Sequence, residues 1–217
     1  MGGTTELKKS RRIALIPTRW GLCGVGWTQY PPSTELRTPF QNEASTALLS
    51  RIITPGLPAP RLRGQLLAAL PTATEVLCDR SGNFSSQVVP VWFGELVQLL
   101  QGYFTNAMYP TFLEVDYCHW AYWKPRLDLS LLTPFQQQVL NVVAGIPRGQ
   151  IMTYAQVAAK AGNPKAARAV GAALRTNPWP ILIPCHRVIG TGGQLTGFTA
   201  PGGLVAKRRM LQLEKAI

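Results

Sequence analysis

Two short segments, Thr133-Pro134-Phe135-Gln136 and Thr153-Tyr154-Ala155-Gln156, constrain the fold of this chain more than any other feature. Each sets a Thr three residues ahead of a Gln at the head of an apolar run. The Thr hydroxyl then caps an early helical N–H while the Gln side chain returns to the Thr backbone N–H, so a helix begins at each. Pro134, at the first helical position, reinforces the first start. Phe135, Val139, Val142 and Val143 recur on one face of that helix, and the Gly/Pro turn in "GIPRGQ" ends it. The second helix is short and stops at Gly162; Asn163-Pro164 starts a third that runs to about Thr176. Two short helices joined by a tight turn predict a helix-turn-helix.

The third helix sorts cleanly at about 100° per residue. Ala167, Val170, Ala173 and Leu174 share one face, and Lys165, Arg168, Gly171, Ala172 and Arg175 the other. Small residues between cations let a helix approach a groove closely while the cations meet phosphates. The alternative is a solvated face with alanines chosen for helix propensity. Charge placement favours the first. The formal net charge is +12 over 217 residues; residues 1–128 hold 12 Lys/Arg against 9 Asp/Glu, whereas 129–217 hold 10 Lys/Arg against Glu214 alone. Such an imbalance suits a polyanion, nucleic acid first.

Upstream, "RRIALIPTRWGLCGVGW" (11–27) has two apolar runs around a turn at Pro17–Arg19, as in a β-hairpin. Residues 31–60, rich in Pro, Ser and Thr, read as loop with a short helix. "VPVWFGELVQLLQGYF" (89–104) reads as a helix after Pro90, and the aromatic, Pro-containing stretch 117–132 as a link. The expected fold is an α/β N-terminal domain with a small antiparallel sheet over residues 1–125. A mostly helical domain containing the helix-turn-helix follows over 126–217. Hydrophobic content of 46% with 15% charged residues describes a folded chain. No apolar run approaches the roughly 18 residues of a membrane span. The basic N-terminus lacks the apolar segment of a signal peptide, so a cytoplasmic or nuclear setting with reduced thiols is expected.

Cys23, Cys78, Cys118 and Cys185 form no C-x-x-C pair. Cys118 adjoins His119, which makes a weak metal site conceivable, but ordinary thiols are the expectation, with no required metal. Cys185 stands apart because "IPCHRVIG" (183–190) puts His186 and Arg187 beside it after Pro184. By residue type alone it is a structural thiol, a metal ligand or a nucleophile. A thiol near its ordinary pKa of about 8.5 needs a base, a helix N-terminus or cations to react at neutral pH. In an extended segment His186 would point away from Cys185 and act through a bend or a bridging water. Glu214 shares the apolar arc of Leu204, Met210 and Leu211 in the last helix. Fraying that leaves it in water is the simpler account; pairing with His186 in a Cys–His–Glu relay is the sharper one.

"IPCHRVIG" resembles the active-site signature of the O6-alkylguanine-DNA alkyltransferases, the methylated-DNA–protein-cysteine methyltransferases. The similarity extends through "TPFQQQVLNVVAGIPRGQIMTYAQVAAKAG", "NPKAARAVGAALRTNP" and "GFTAPGGLVAKRRMLQLE", covering about residues 127–216. Over 1–126 only "ALIPTRWGLCGVGW" resembles the family, in its opening hairpin. The resemblance implies a monomer that repairs double-stranded DNA carrying O6-alkylguanine, with O4-alkylthymine an admissible second lesion. It implies no cofactor and no membrane. A helix-turn-helix enters the minor groove and the damaged base is flipped out. Arg168 fills the vacated stack, and Thr153, Lys165, Ala167, Gly171, Ala172 and Arg175 lie along the DNA. Cys185 accepts the alkyl group, His186 is its base through a water, and Glu214 orients His186. Tyr154 crowds the target phosphate and protonates the departing base. Asn177 holds the turn between the recognition helix and the active-site strand. The backbone at Cys185 and Val188 reads the guanine edge, and the Phe198–Thr199 loop closes over it.

Attack on an alkyl carbon suits a soft anionic sulfur, and the thioether product has no bond that water readily cleaves, so one turnover per chain follows. The chain departs from the family in three places. Phe198 stands where many relatives have Tyr, which keeps stacking and removes a hydroxyl; "TAPGG" (199–203) lengthens the loop; Trp179, between Pro178 and Pro180, is expected near the pocket mouth. A lesion binder without transfer would lack the cysteine of "PCHR". A cysteine hydrolase would leave the helix-turn-helix unexplained, and a transcription regulator would leave the Cys185 signature inert.

Overall fold

The computed structural model describes residues 10–30, 46–78, 89–90, 92–105 and 120–217. Cys118 and His119, conceivable metal ligands by sequence, lie outside them. The described part opens with a hairpin in which β1 (Ser10–Thr18) pairs antiparallel with β2 (Gly21–Tyr30). Its turn falls at Arg19–Trp20, where the Thr18 hydroxyl donates to Gly21 O (2.6 Å) and accepts from the Trp20 N–H (3.3 Å). On the other side of β2 lies β3 (Thr46–Ile53), also antiparallel. The Pro-, Ser- and Thr-rich composition of residues 31–60 predicts loop here instead of a strand. Ala47, Leu49, Ile52 and Ile53 are all buried, on both faces of the sheet, and so show no simple alternation.

After β3, α1 (Ala59–Ala69) crosses the sheet and returns the chain to β4 (Thr74–Leu77) at its far edge, giving the order β3-β2-β1-β4. β4 runs parallel to β1. The sheet is therefore mixed rather than antiparallel as expected, because a helical crossover delivers the next strand in the direction of the one before it. Close approach of α1 depends on Gly26: a Cβ there would lie 2.4 Å from Leu70 Cδ1. Ile13, Ile53, Leu62, Leu66 and Leu70 fill this face. α2 (Phe93–Thr105) covers the opposite face, with Phe93 tilted against Trp27 at 4.6 Å between ring centroids.

A short α3 (Trp120–Trp123) and two 3-10 turns lead to α4 (Pro134–Ala144). Both capping boxes form as the sequence requires. Thr133 receives the Gln136 N–H at 3.3 Å and returns its own N–H to Gln136 Oε1 at 2.8 Å. Thr153 does the same with Gln156, at 3.2 and 2.7 Å, and so opens α5 (Tyr154–Lys160). Each cap contributes about 1 kcal/mol. α5 ends where Gly162 adopts φ +84° and the Asn163 N–H reaches back to Ala158 O at 3.0 Å, a Schellman closure.

α6 (Ala167–Arg175) begins later than the sequence predicts. Residues 163–166 form a turn closed by Ala166 N–H to Asn163 O at 3.0 Å. Lys165 is therefore exposed in that turn and not on the helix face assigned to it. Val170, Ala173 and Leu174 bury the inner face of α6 against α4 and α5. Beyond Pro184, Cys185–Arg187 form a 3-10 turn in place of the expected extended segment. The chain continues as β6 (Val188–Ile189), which pairs parallel with β5 (Met152–Thr153). α7 (Gly203–Leu213) closes the fold.

The sheet and the helical half share one buried cluster, running from Val25, Trp27 and Leu49 through α2 and Trp123 to Val139, Val157, Val170 and Met210. Hydrogen bonds stitch the seam: Ile52 N–H to Pro178 O (2.8 Å), Asp128 N–H to Leu49 O (3.0 Å) and Trp179 Nε1–H to Leu49 O (2.9 Å). Among the described residues no helix is long and apolar enough to cross a membrane.

Candidate active site

The pairing of β5 with β6 brings two sequence-distant segments together. Thr153 lies opposite Ile189, so Tyr154, the first residue of α5, sits beside the turn that carries Cys185 and His186. Asn177 ties the other side. Its Nδ2 donates to Ile183 O at 2.9 Å and its Oδ1 accepts from the Trp179 N–H at 3.0 Å, which fixes the bend between α6 and Cys185.

Cys185 lines a cavity of about 450 Å³ together with Asn177, Pro180, Phe198 and Thr199. Burial pushes its thiol pKa up. A hydrogen bond from the Asn177 side chain, the charge of Lys207 and the backbone N–H groups of Cys185 and His186 oppose that rise without cancelling it. The resting sulfur is thus a thiol that needs a base.

His186 is fully buried. Its Nε2 meets Glu214 Oε1 at 2.9 Å, and Glu214 also takes two bonds from Arg187, Nε to Oε2 at 2.7 Å and Nη2 to Oε1 at 2.9 Å. The Tyr103 hydroxyl, from α2, donates to Glu214 Oε1 at 3.0 Å and lies 3.3 Å from His186 Nε2. Burial alone would raise the Glu214 carboxyl, yet hydrogen bonds and charge from its partners hold it well below the usual carboxylate range. Burial lowers the His186 pKa, with the cations Arg187 and Lys207 adding to the effect against the pull of Glu214. The imidazole is neutral at pH 7, and Arg187 is the countercharge of Glu214. An ionised carboxylate accepts from Nε2–H, which leaves the lone pair on Nδ1. That atom is buried without a hydrogen-bond partner among the described residues. Nothing bonds it directly to the Cys185 side chain. Glu214 is only 4% exposed, so the fraying account fails: the last turn of α7 aims the carboxylate inward.

Tyr154 is half-buried, and its hydroxyl donates to Thr196 O at 3.2 Å. Burial raises its pKa against the opposing hydrogen bond to Thr196, and a thiolate at Cys185 raises it further, so it stays a phenol. Lys207 is fully buried, with Nζ donating to Val188 O at 2.5 Å and Thr196 O at 2.9 Å and lying 5.8 Å from the centre of the Tyr154 ring. Burial lowers its pKa to about 8. One expected pocket residue falls elsewhere. Trp179 is buried in the seam because its indole N–H is satisfied by Leu49 O. Val188 is fully buried, and its carbonyl is already engaged by Lys207. On α6, Arg168, Ala172 and Arg175 are exposed; Gly171 and Ala167 are half-buried, and Gly171 backs onto the Tyr154 ring.

Tyr103 and Lys207 are parts of the site that the sequence pattern does not single out, and Arg187, the cation expected beside Cys185, serves as the countercharge of Glu214. Lys207 was within reach, since it shares the helical arc of Leu204, Leu211 and Glu214. Tyr103 gave a fainter signal: a phenol on an otherwise apolar helix face requires a partner. Among the described residues no group of three His, Cys, Asp or Glu side chains is placed to hold a metal ion.

Residues 134–216 match the family model for the DNA-binding domain of 6-O-methylguanine DNA methyltransferase. The chain is similar to the methylated-DNA–protein-cysteine methyltransferase of Mycobacterium leprae, 41% identical over 123 residues, which span 57% of this chain and 66% of that protein. It is also similar to the Salmonella typhimurium protein of the same name, 52% identical over 82 residues, 38% of this chain and 47% of that one. These alignments thus span about half to two thirds of the relatives' length. In three dimensions the chain resembles the crystal structure of Mycobacterium tuberculosis OGT in complex with DNA, with a TM-score of 0.59 and 26% identity over 94% of this chain and 93% of that one. A second crystal structure, of M. tuberculosis O6-methylguanine methyltransferase, gives 0.58 and 27% over 95% and 93%.

Proposed function

Through residues 134–216 the chain belongs to the 6-O-methylguanine DNA methyltransferase family, and on that premise we propose that it repairs O6-alkylguanine in duplex DNA by moving the alkyl group irreversibly to Cys185. The observation that carries this reading is a cavity-lining thiol followed in the same 3-10 turn by a buried imidazole, which Glu214 holds at 2.9 Å. The thiol proton passes through a water to His186 Nδ1. The thiolate attacks the alkyl carbon in line with the carbon–oxygen bond; the S–C bond forms, the C–O6 bond breaks, and its electron pair moves onto the guanine. Tyr154, kept protonated by burial, gives the base its proton and is restored by the one His186 holds. The products are guanine and an S-alkyl cysteine, so the chain is nucleophile and final acceptor at once, needs no cofactor and works once.

Delivery of the base uses α5 and α6 as a helix-turn-helix in the minor groove. Arg168 fills the stack behind the flipped nucleotide, offsetting part of the few kcal/mol that unstacking costs. Thr153, Lys165, Ala167, Gly171, Ala172 and Arg175 follow the DNA, with Lys165 reaching from the turn. Pro180, Phe198 and Thr199 enclose the base, and O4-alkylthymine is a second lesion for the same sulfur. Residues 126–217 carry the DNA-binding helices and the reacting cysteine, and the protein acts as a cytoplasmic or nuclear monomer. The test is stoichiometry. Excess O6-methylguanine duplex incubated with the full chain should lose one lesion per protein molecule and then stop; continued turnover, or tight binding with no lesion lost, would refute the reading.

A further inference from the structure

The cavity that holds Cys185 is not built from the helical half alone. Arg51, Ile52, Ile53 and Thr54 from the end of β3, and Gln65, Ala68 and Ala69 from α1, form its other wall. This wall is fixed in place, because the Ile52 N–H is bonded to Pro178 O at 2.8 Å, two residues before the lining residue Pro180. Arg51 is half-buried in it, its guanidinium takes part in no hydrogen bond or ion pair among the described residues, and burial lowers its pKa. Asp128, which shares a smaller neighbouring cavity with Arg51, receives the Ser130 hydroxyl at 2.5 Å instead. Thr54 is 4% exposed, and its hydroxyl is buried without a hydrogen-bond partner among the described residues. None of the described lining residues is acidic, whereas Arg51 and Arg175 are both cationic. A desolvated, unpaired guanidinium beside an orphaned hydroxyl is costly, and an anionic oxygen group would satisfy both.

We propose that Arg51, with Thr54 and Gln65, forms an anion subsite in the N-terminal wall of the Cys185 cavity, receiving an anionic oxygen group of the substrate: a carboxylate carried on the O6 substituent, or a backbone phosphate beside the flipped base. The subsite rests on the alkyl-transfer reading and extends it to a class of adduct. Methyl and benzyl groups offer Arg51 no anion. A carboxyalkyl group does.

The test measures the rate at which mass appears on Cys185 of the full chain, for the parent, Arg51→Gln and Thr54→Val. Three duplexes carry O6-carboxymethylguanine, its neutral carbamoylmethyl counterpart or O6-methylguanine, and free O6-benzylguanine supplies a substrate with no phosphate. If the anion is the adduct's carboxylate, Arg51→Gln lowers the carboxymethyl-to-carbamoylmethyl rate ratio by about 10- to 100-fold, the worth of one charge-assisted hydrogen bond. If the anion is a phosphate, that ratio holds and all three duplexes slow together, by a similar factor relative to free benzylguanine. Thr54→Val shifts the same ratio in the same direction by about fivefold, and it decides the matter if Arg51→Gln melts before assay. Transfer to Cys185 with both ratios unchanged in the folded variants overturns the subsite alone. No transfer from any adduct to the parent chain overturns the functional reading and the subsite with it.

Discussion

Replacing Glu214 by Gln removes one charge and almost no volume from the most connected side chain of the site. The carboxylate accepts from the Tyr103 hydroxyl, His186 Nε2 and Arg187 Nη2 on Oε1, and from Arg187 Nε on Oε2, at 2.7 to 3.0 Å. An amide has one oxygen. Placed at the Oε1 position it keeps three donors, but its NH2 then faces the Arg187 Nε–H. Placed the other way, it confronts three donors with its own. In either pose Arg187, whose side chain is only 12% exposed, loses its countercharge. Breaking a buried pair from one side costs about 3–5 kcal/mol. For a chain of this size that is a fall in Tm of about 6–20 °C. The pH dependence has a definite sign: the folded-state pKa of Glu214 is depressed, so its contribution is complete above the ordinary carboxylate value of 4.5 and fades only as pH falls toward the depressed one. The melting difference between parent and variant should therefore be full at neutral pH and shrink in strong acid. Loss of the anion also frees His186 to hold its proton on Nδ1, so alkylation at pH 7 should slow about 100-fold and its rate–pH curve should move to higher pH. Calorimetry and stopped alkylation with O6-benzylguanine measure the two effects. A Tm within about 2 °C of the parent together with an unchanged rate–pH curve would show that Glu214 neither balances Arg187 nor orients His186.

Arg168→Ala should slow transfer from duplex DNA by about 10- to 100-fold while leaving free O6-benzylguanine close to the parent rate, because only the duplex needs a stack filler; equal losses on both would dismiss that role. Lys207→Met leaves Val188 O and Thr196 O without their buried donor and removes a cation that favours the thiolate. Titration of the Cys185 thiol should show a higher pKa, and alkylation should be slower below pH 8. The gap should narrow above pH 8, where Lys207 itself, at about 8, has lost its proton. Gly26→Ala puts a methyl 2.4 Å from Leu70 Cδ1 under α1; a loss of about 1–3 kcal/mol is expected from thermal unfolding, with the chemistry at Cys185 unaffected.

Local chemistry made the helical half legible. Thr133, Pro134 and Gln136 carry a complete helix start in four residues, and Thr153 with Gln156 repeats it, so both helices stand where the sequence puts them. The start of α6 was not legible, because Asn163-Pro164 is as good a turn as a helix start and no side chain caps Ala166. β3 escaped because it is buried on both faces and lacks alternation, and the parallel pairing of β4 with β1 is a long-range event that no local pattern encodes. Within the site, Cys185 and His186 stood out as neighbours. Glu214 was ambiguous from residue type, since a carboxylate on an apolar arc makes sense only once Arg187 and Tyr103 are seen to meet it. Trp179 was misplaced for the converse reason: flanking prolines say nothing of the Leu49 carbonyl that receives its indole N–H.

Repair by this chain requires that the sulfur of Cys185 take the alkyl group and keep it. Peptide mapping by mass spectrometry after reaction with an O6-methylguanine duplex tests it most directly. One added CH2 per chain is expected, confined to the peptide holding Cys185 and stable to prolonged incubation in water. An unmodified Cys185 alongside lost lesions, or a mark that water removes, would contradict it.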